Sequence, residues 1–257
     1  MNTMGHAVPC WNDLSTADVA GAEAFYRALL GWDITRSETP MGDYLTATVD
    51  ARRVAGMMAK PPEAAGTPSE WTVFFRVDGL DGVVGRVASA GGSVVRPPFE
   101  IPGGGRVSVV ADTTGAMFGL LSDAPQPGPH FSTEPGAVGW FELMSRDPEA
   151  AIRFYTDLLG WEAATSDAEG VAYTVFSAGD AQIAGMIATP DEMAADIPDS
   201  WSLYFAVADC EASVAAVVER GGAVIKPPAP TPMGPFAVVA DPQGAVFQIM
   251  QFDMPLA

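Results

Sequence analysis

Histidine is nearly missing from this sequence: His6 and His130 are the two among its 257 residues. Zinc, iron and nickel centres and most acid–base triads draw on imidazole, so any chemistry here has to run largely without it. Cysteine is equally scarce. Cys10 and Cys210 lie in no CxxC or nucleophile motif and cannot build a disulfide framework, so they read as free thiols of a reducing interior. Basic side chains are also few, with 13 Lys and Arg against 32 Asp and Glu and a formal net charge of -19. A surface this negative repels phosphate backbones and anionic headgroups, which excludes nucleic-acid and membrane partners. No apolar run approaches the roughly 18 residues of a membrane span, and the N-terminus lacks the charged-then-apolar order of a secretory signal. The expected location is therefore the cytoplasm. What the chain does hold is apolar material, 48% of its residues against 18% charged, enough for one or two buried cores.

That material is arranged twice. Trp11-Asn12-Asp13-Leu14, Phe25-Tyr26 and Leu29-Leu30-Gly31-Trp32 return 129 residues later as Trp140-Phe141-Glu142-Leu143, Phe154-Tyr155 and Leu158-Leu159-Gly160-Trp161. Ala55-Gly56-Met57 with Ala184-Gly185-Met186, Trp71 with Trp201, Pro97-Pro98 with Pro227-Pro228, and Gly115-Ala116 with Gly244-Ala245 continue the match. All six tryptophans fall into three such pairs. Two homologous domains are expected, residues 1–122 and 135–257, joined by a Pro-rich linker over 123–134.

Within each domain the periodicity changes in a fixed order. A short strand near residues 10–15 precedes a helix from Asp18 to Leu30, where Val19, Ala22, Phe25, Tyr26 and Leu29 or Leu30 recur at three-and-four spacing before Gly31. Three strand-like runs follow, giving a βαβββ unit. The rest of the domain repeats that order, with Trp71–Val77, a helix over Leu80–Ala90, then Ser93–Val95, Arg106–Val110 and Met117–Leu121. Four βαβββ modules, two per domain, define an α+β fold. Strand alternation places Trp11, Asp13 and Ser15 on one face of the first strand, with Asn12 and Leu14 on the other.

The helix motif Asp18 to Gly31, its copy Asp147 to Gly160, and the late turns Asp241-Pro242-Gln243-Gly244 and Asp112-Thr113-Thr114-Gly115 give the chain a resemblance. It resembles the vicinal oxygen chelate superfamily of glyoxalases, bleomycin-resistance proteins and extradiol dioxygenases, in its tandem actinobacterial hydroxylase-like or glyoxalase-like form. The resemblance implies that the two modules of a domain curl into an open sheet around a cleft. In metal-dependent members His or Glu ligands project from the first and last strands of each module. By spacing, those positions here are Trp11, Gly56, Thr72 and Gly119, then Trp140, Gly185, Ser202 and Gln248. None is a histidine or carboxylate, so neither a metal nor another cofactor is expected, and His6 and His130 read as surface residues.

The expected cleft is instead aromatic, apolar and acidic, a composition suited to a small molecule. Candidate ligand-binding residues are Trp11, Met57, Thr72, Phe74, Trp140, Met186, Ser202, Tyr204 and Gln248. Asp13 and Glu142 are the candidate catalytic groups, because an inward carboxylate needs a partner, solvent or a ligand. Arg76 or Arg106 could instead make Asp13 a structural ion pair. Trp32 and Trp161, which follow the helix caps, read as core. Three functions follow in order: a metal-free protein binding an aromatic or cationic metabolite; a cofactor-free lyase, isomerase or hydroxylase-like enzyme on a carbonyl or polyketide-type substrate, using Asp13 or Glu142; and a metal-dependent glyoxalase-type lyase. A monomer or homodimer fits the tandem arrangement.

Overall fold

A computed structural model describes residues 7–64, 66–101, 103–124, 131–168, 171–190 and 198–253. His6, His130, Pro102 and residues 125–130 of the linker lie outside them. The four modules are present in the described residues. The first is β1 (Val8–Thr16), α1 (Val19–Leu30), β2 (Asp33–Thr39), β3 (Gly42–Val49) and β4 (Arg52–Ala59). The second is β5 (Glu70–Arg76), α2 (Leu80–Val87), β6 (Ser93–Ile101), β7 (Gly105–Ala111) and β8 (Met117–Ser122). The third runs β9 (Val138–Ser145), α3 (Pro148–Leu159), β10 (Glu162–Ala168), β11 (Val171–Ala178) and β12 (Ala181–Ala188). The fourth is β13 (Ser200–Ala206), α4 (Cys210–Glu219), β14 (Ala223–Ala229), β15 (Phe236–Ala240) and β16 (Val246–Met250).

The helix boundaries have identifiable causes. Asp18 accepts from the Gly21 amide at 3.0 Å and Asp147 from the Ala150 amide at 2.9 Å, satisfying first-turn donors of α1 and α3. Gly31 and Gly160 end those helices in the left-handed region, at φ 69° and 73°, where a β-carbon would be strained. Ala22, Phe25, Tyr26 and Leu30 form the buried face of α1.

Two open, mixed eight-stranded sheets result, in the orders β2-β3-β4-β1-β5-β8-β7-β6 and β10-β11-β12-β9-β13-β16-β15-β14. Within each module the first and last strands pair in parallel, and the rest pair antiparallel. Strand β6 runs on to Ile101, past the stretch its periodicity predicts. Pro97 and Pro98 are tolerated because β6 is an edge strand whose pairing with β7 shifts register around Arg96.

By packing, the chain forms two compact units that regroup the modules. One contains Val73–Pro127 and Phe141–Trp201 with Met1–Cys10; the other contains Trp11–Thr72, Gly128–Trp140 and Ser202–Ala257. In the latter unit, Tyr26 stacks on Trp32 (centroids 5.5 Å apart) and meets Trp71 edge-on. Trp71 Nε1 donates to the Tyr26 hydroxyl at 3.0 Å, and that hydroxyl donates to Asp241 Oδ2 at 3.0 Å. The former unit repeats this: Tyr155 stacks on Trp161 at 5.2 Å, accepts from Trp201 Nε1 at 2.8 Å and donates to Asp112 Oδ2 at 3.0 Å. Trp32 and Trp161 are buried core residues, each donating to a backbone carbonyl, that of Gly136 and that of Ala7.

One core position is anomalous. Asn12, on the core face of β1, is 0% exposed, and neither of its amide atoms has a hydrogen-bond partner among the described residues. The repeat places Phe141 at the same position. Unpartnered buried amides are destabilising, whereas an apolar group of similar shape is not. Asn12→Leu is therefore expected to raise stability by about 1–2 kcal/mol, read from the urea midpoint. A fall would mean that solvent reaches and satisfies the amide.

Candidate functional site

The side chains that face one another across each module follow from strand register. Asp13 pairs with Gly56, Phe74 with Gly119, Glu142 with Gly185, and Tyr204 with Gln248. Opposite the last-strand positions therefore stand residues two beyond Trp11, Thr72, Trp140 and Ser202. The side-chain period of two keeps both members of each pair on one face.

Around Asp13 this produces a cluster in the unit containing Trp11–Thr72. Thr46 pairs with Gly56, so Tyr44, two residues earlier on β3, stands on the same face and reaches over the glycine. The Tyr44 hydroxyl donates to Asp13 Oδ1 at 2.6 Å. Trp11 Nε1 lies 2.8 Å from both Asp13 Oδ1 and the Tyr44 oxygen. Among the described residues both hydrogen bonds to Asp13 converge on Oδ1, and none reaches Oδ2. The Arg53 guanidinium lies 5.2 Å from the centroid of the Trp11 ring.

Asp13 is 8% exposed, and burial lifts its carboxyl from the ordinary 3.8 to about 6, against the opposing pull of the Tyr44 and Trp11 hydrogen bonds. Tyr44 is pushed well above its usual value by burial and then by the neighbouring carboxylate, so it stays a neutral donor at physiological pH. Arg106, one of the two arginines that could have made Asp13 a structural ion pair, instead pairs with Asp81 at 2.7 and 3.0 Å.

The third module has the same construction. Tyr173, the repeat partner of Tyr44, donates to Glu142 Oε2 at 3.0 Å, and Glu142 is half-buried. Neither tyrosine was singled out from sequence, although their 129-residue correspondence on strands beside the carboxyl positions is a usable signal.

The second and fourth modules differ from these. A β-carbon on Gly119 would lie 2.0 Å from the Phe74 ring, so in the second module that ring fills the side-chain space of the last strand. In the fourth module Gln248 occupies the corresponding position beside Tyr204. Thr72, Trp140 and Ser202 are half-buried. Met57 and Met186 do not join these faces. They pair with Leu14 and Leu143, turn to the opposite side of the strand and are buried in the core, which corrects their expected place in a ligand wall.

At the last-strand position of the first module, where the resemblance would put one metal ligand, the space is taken. A β-carbon on Gly56 would meet the Tyr44 oxygen at 1.9 Å and Asp13 Oδ1 at 2.1 Å, so that volume is already filled. Taken by itself, the first module offers one carboxylate at these positions, and the second offers glycine beside a phenyl ring. Among the described residues no group of three His, Cys, Asp or Glu side chains is placed to hold a metal ion.

Residues 3–120 and 137–249 both match the profile of the Glyoxalase/Bleomycin resistance protein/Dioxygenase superfamily. The chain belongs to this superfamily. It is 38% identical to the Mycobacterium tuberculosis (strain CDC 1551 / Oshkosh) protein named "Putative glyoxylase CFP32", over 95% of this chain and 94% of that one. It is 35% identical to the anthracycline biosynthesis protein DnrV of Streptomyces peucetius, over 98% and 95% of the two chains. Among solved structures, the Mn(II)-bound glyoxalase from Novosphingobium aromaticivorans superposes with a TM-score of 0.65 at 16% identity, covering 98% of this chain and 86% of that one. That likeness concerns the fold. Among the described residues no helix is long and apolar enough to cross a membrane.

Proposed function

We propose that this member of the superfamily is a small-molecule binding protein that has dispensed with the metal shell, holding an aromatic or cationic metabolite at Trp11, Asp13 and Tyr44. The observation that carries the reading is the filled volume at Gly56, where Tyr44 and Asp13 take the space a metal-ligating side chain would need. Asp13 Oδ2 is the acceptor left for a ligand ammonium or hydroxyl, and Trp11 supplies an aromatic surface that already accommodates a guanidinium. The naming of one relative for anthracycline biosynthesis supports a planar, polycyclic ligand class.

Calorimetric titration of the full chain with 9-aminoacridine, a planar cation, tests this. Saturable binding is expected, weakened roughly tenfold by Asp13→Asn and by lowering the pH through about 6, where the carboxylate is lost. Binding that is absent, or indifferent to both changes, sinks the assignment. Stoichiometric nickel, zinc or iron in the purified protein, with a lyase activity lost to a chelator, would replace it by the metal-dependent reading.

A second reading rests on the raised pKa of Asp13. A carboxyl at about 6 with one oxygen pinned and one open is suited to accept a proton at Oδ2 from a carbonyl or polyketide-type substrate, while the Tyr44 and Trp11 hydrogen bonds hold Oδ1 in place. This cofactor-free lyase, isomerase or hydroxylase-like activity requires turnover that Asp13→Asn abolishes.

A further inference from the structure

We infer a second ligand site, independent of the Asp13 cluster, in the groove where the C-terminal end of α1 meets α4: a site for a guanidinium carried on a short alkyl stem. The groove encloses about 300 Å³, and Leu29, Gly136, Asp209, Ser213 and Ala216 are among the residues that line it. The internal repeat holds a guanidinium at the corresponding place. α2 packs against α3 as α4 packs against α1, and the repeat sets Arg86 of α2 where α4 has Ala216, and Leu158 of α3 where α1 has Leu29. In the α2 and α3 pair, Arg86 Nη2 donates to the Leu158 carbonyl at 3.0 Å, so the guanidinium lies over the last turn of α3. Leu158 is buried there, whereas Leu29 is only half-buried.

Alanine in place of the arginine removes the cation and keeps what recognises it. No hydrogen bond to the Leu29 carbonyl is present among the described residues, and this carbonyl belongs to the negative end of the α1 dipole. The acid is retained as well, since Asp78-Gly79 precedes α2 and Ala208-Asp209 precedes α4. Asp209 caps α4 by accepting from the Ala212 amide at 2.9 Å through Oδ1, and its Oδ2 accepts no hydrogen bond among the described residues. Ser213 stands where α2 has Val83, and its hydroxyl, which donates to the Asp209 carbonyl at 2.7 Å, still has lone pairs to offer. A planar guanidinium can donate to a helix-end carbonyl, a carboxylate and a hydroxyl together while its stem covers Leu29. An ammonium, with three donors on one atom, cannot span them in the same way. The net charge of -19 raises the local concentration of such a cation.

The test is titration of the isotopically labelled full chain with n-butylguanidinium and with n-butylammonium, which share a stem and a charge and differ in the head group. The amide NMR shifts of Leu30, Gly31, Gly136 and Ala212 report on the groove. Saturable shifts are expected at these amides, with half-saturation by the guanidinium at a concentration roughly tenfold lower than by the ammonium. Asp209→Asn, which preserves the helix cap, should weaken the guanidinium about fivefold or more. Ala216→Arg restores the arrangement of α2 and α3, so it should raise the melting temperature by about 2 °C or more and abolish the shifts. No saturable shift, equal half-saturation by the two probes, indifference to Asp209→Asn, or undiminished shifts in a folded Ala216→Arg variant overturns the proposal. The unmodified chain and Asp209→Asn decide the matter even if Ala216→Arg does not fold. Failure here is separable from failure at the first site, because Asp13→Asn should leave these amide shifts unchanged. Their loss in Asp13→Asn would mean that the probe acts at the Asp13 cluster and would overturn the second site.

Discussion

Asp241→Ala is expected to destabilise the protein by about 3–5 kcal/mol, measured as a shift in the urea midpoint. Asp241 is 3% exposed, and each of its oxygens has a separate task. Oδ1 accepts from the Gln243 and Ala245 amides at 2.9 and 2.8 Å, closing the turn between β15 and β16. Oδ2 accepts from the Tyr26 hydroxyl at 3.0 Å, tying that turn to α1. Burial raises this carboxyl above its ordinary value, and hydrogen bonding from the Ala245 amide, the Tyr26 hydroxyl and the Gln243 and Gly244 amides opposes the rise. Alanine would leave a buried phenol and two amides without their acceptor. Tyr26→Phe, which removes one donor and leaves the turn intact, should cost only about 1 kcal/mol. Asp112→Ala should match Asp241→Ala, because Thr114, Ala116 and Tyr155 surround Asp112 in the same way. A loss below 1 kcal/mol for Asp241→Ala would mean that the turn and helix hold together without the carboxylate.

This network also shows where sequence reading succeeds and where it stops. The Asp-x6-Phe-Tyr spacing and the late Asp turn are visible as motifs because a helix face and a tight turn are local and periodic. That Tyr26 bonds Asp241, 215 residues away, depends on how distant modules pack, and no local pattern encodes it. The candidate face was legible in the same limited sense. Alternation places Trp11 and Asp13 together, and the structure joins them by a hydrogen bond. The same rule should have sent Met57 to the core, since it is one residue away from Gly56 and so on the other side of the strand. The repeat marks Tyr44 through its counterpart Tyr173, but the contact it makes is not visible in the sequence. Its place over Gly56 depends on the β3–β4 register and on the missing β-carbon, and both are tertiary facts.

Three of the four modules have glycine at one topological position, Gly56, Gly119 and Gly185, and the fourth has Gln248. Glycine admits Tyr44 and Asp13 in the first and a phenyl ring in the second, while the fourth retains an amide. Each solution changes what the neighbouring strand face can bind while leaving the core network of aromatic rings alone. Function can therefore diverge between modules at low structural cost, which is how one scaffold carries several chemistries.

Asp13→Asn should separate stability from function in the opposite direction to Asp241→Ala. With the folded carboxyl at about 6 and the ordinary value at 3.8, the native state binds the proton more tightly than the unfolded chain does. Below both values the group is neutral in both states and contributes nothing. As pH rises from about 4 to 6 the unfolded chain ionises first, so stability falls, and above 6 the loss is complete at about 3 kcal/mol. Asparagine keeps an oxygen to accept from Tyr44 and Trp11 but carries no charge. The variant should therefore be more stable than the parent by about 2–3 kcal/mol at pH 7.5 and nearly equal to it at pH 4. Denaturation at the two pH values checks this, and the general repulsion of an acidic chain largely cancels in the difference. An equal gain at both pH values, or a loss at pH 7.5, would show that the carboxylate is compensated in the folded state and would remove the case for Asp13 as a poised base. If the gain has the expected pH dependence and binding of the cationic probe weakens with it, the buried charge destabilises the fold and serves the ligand, the trade expected of a functional group.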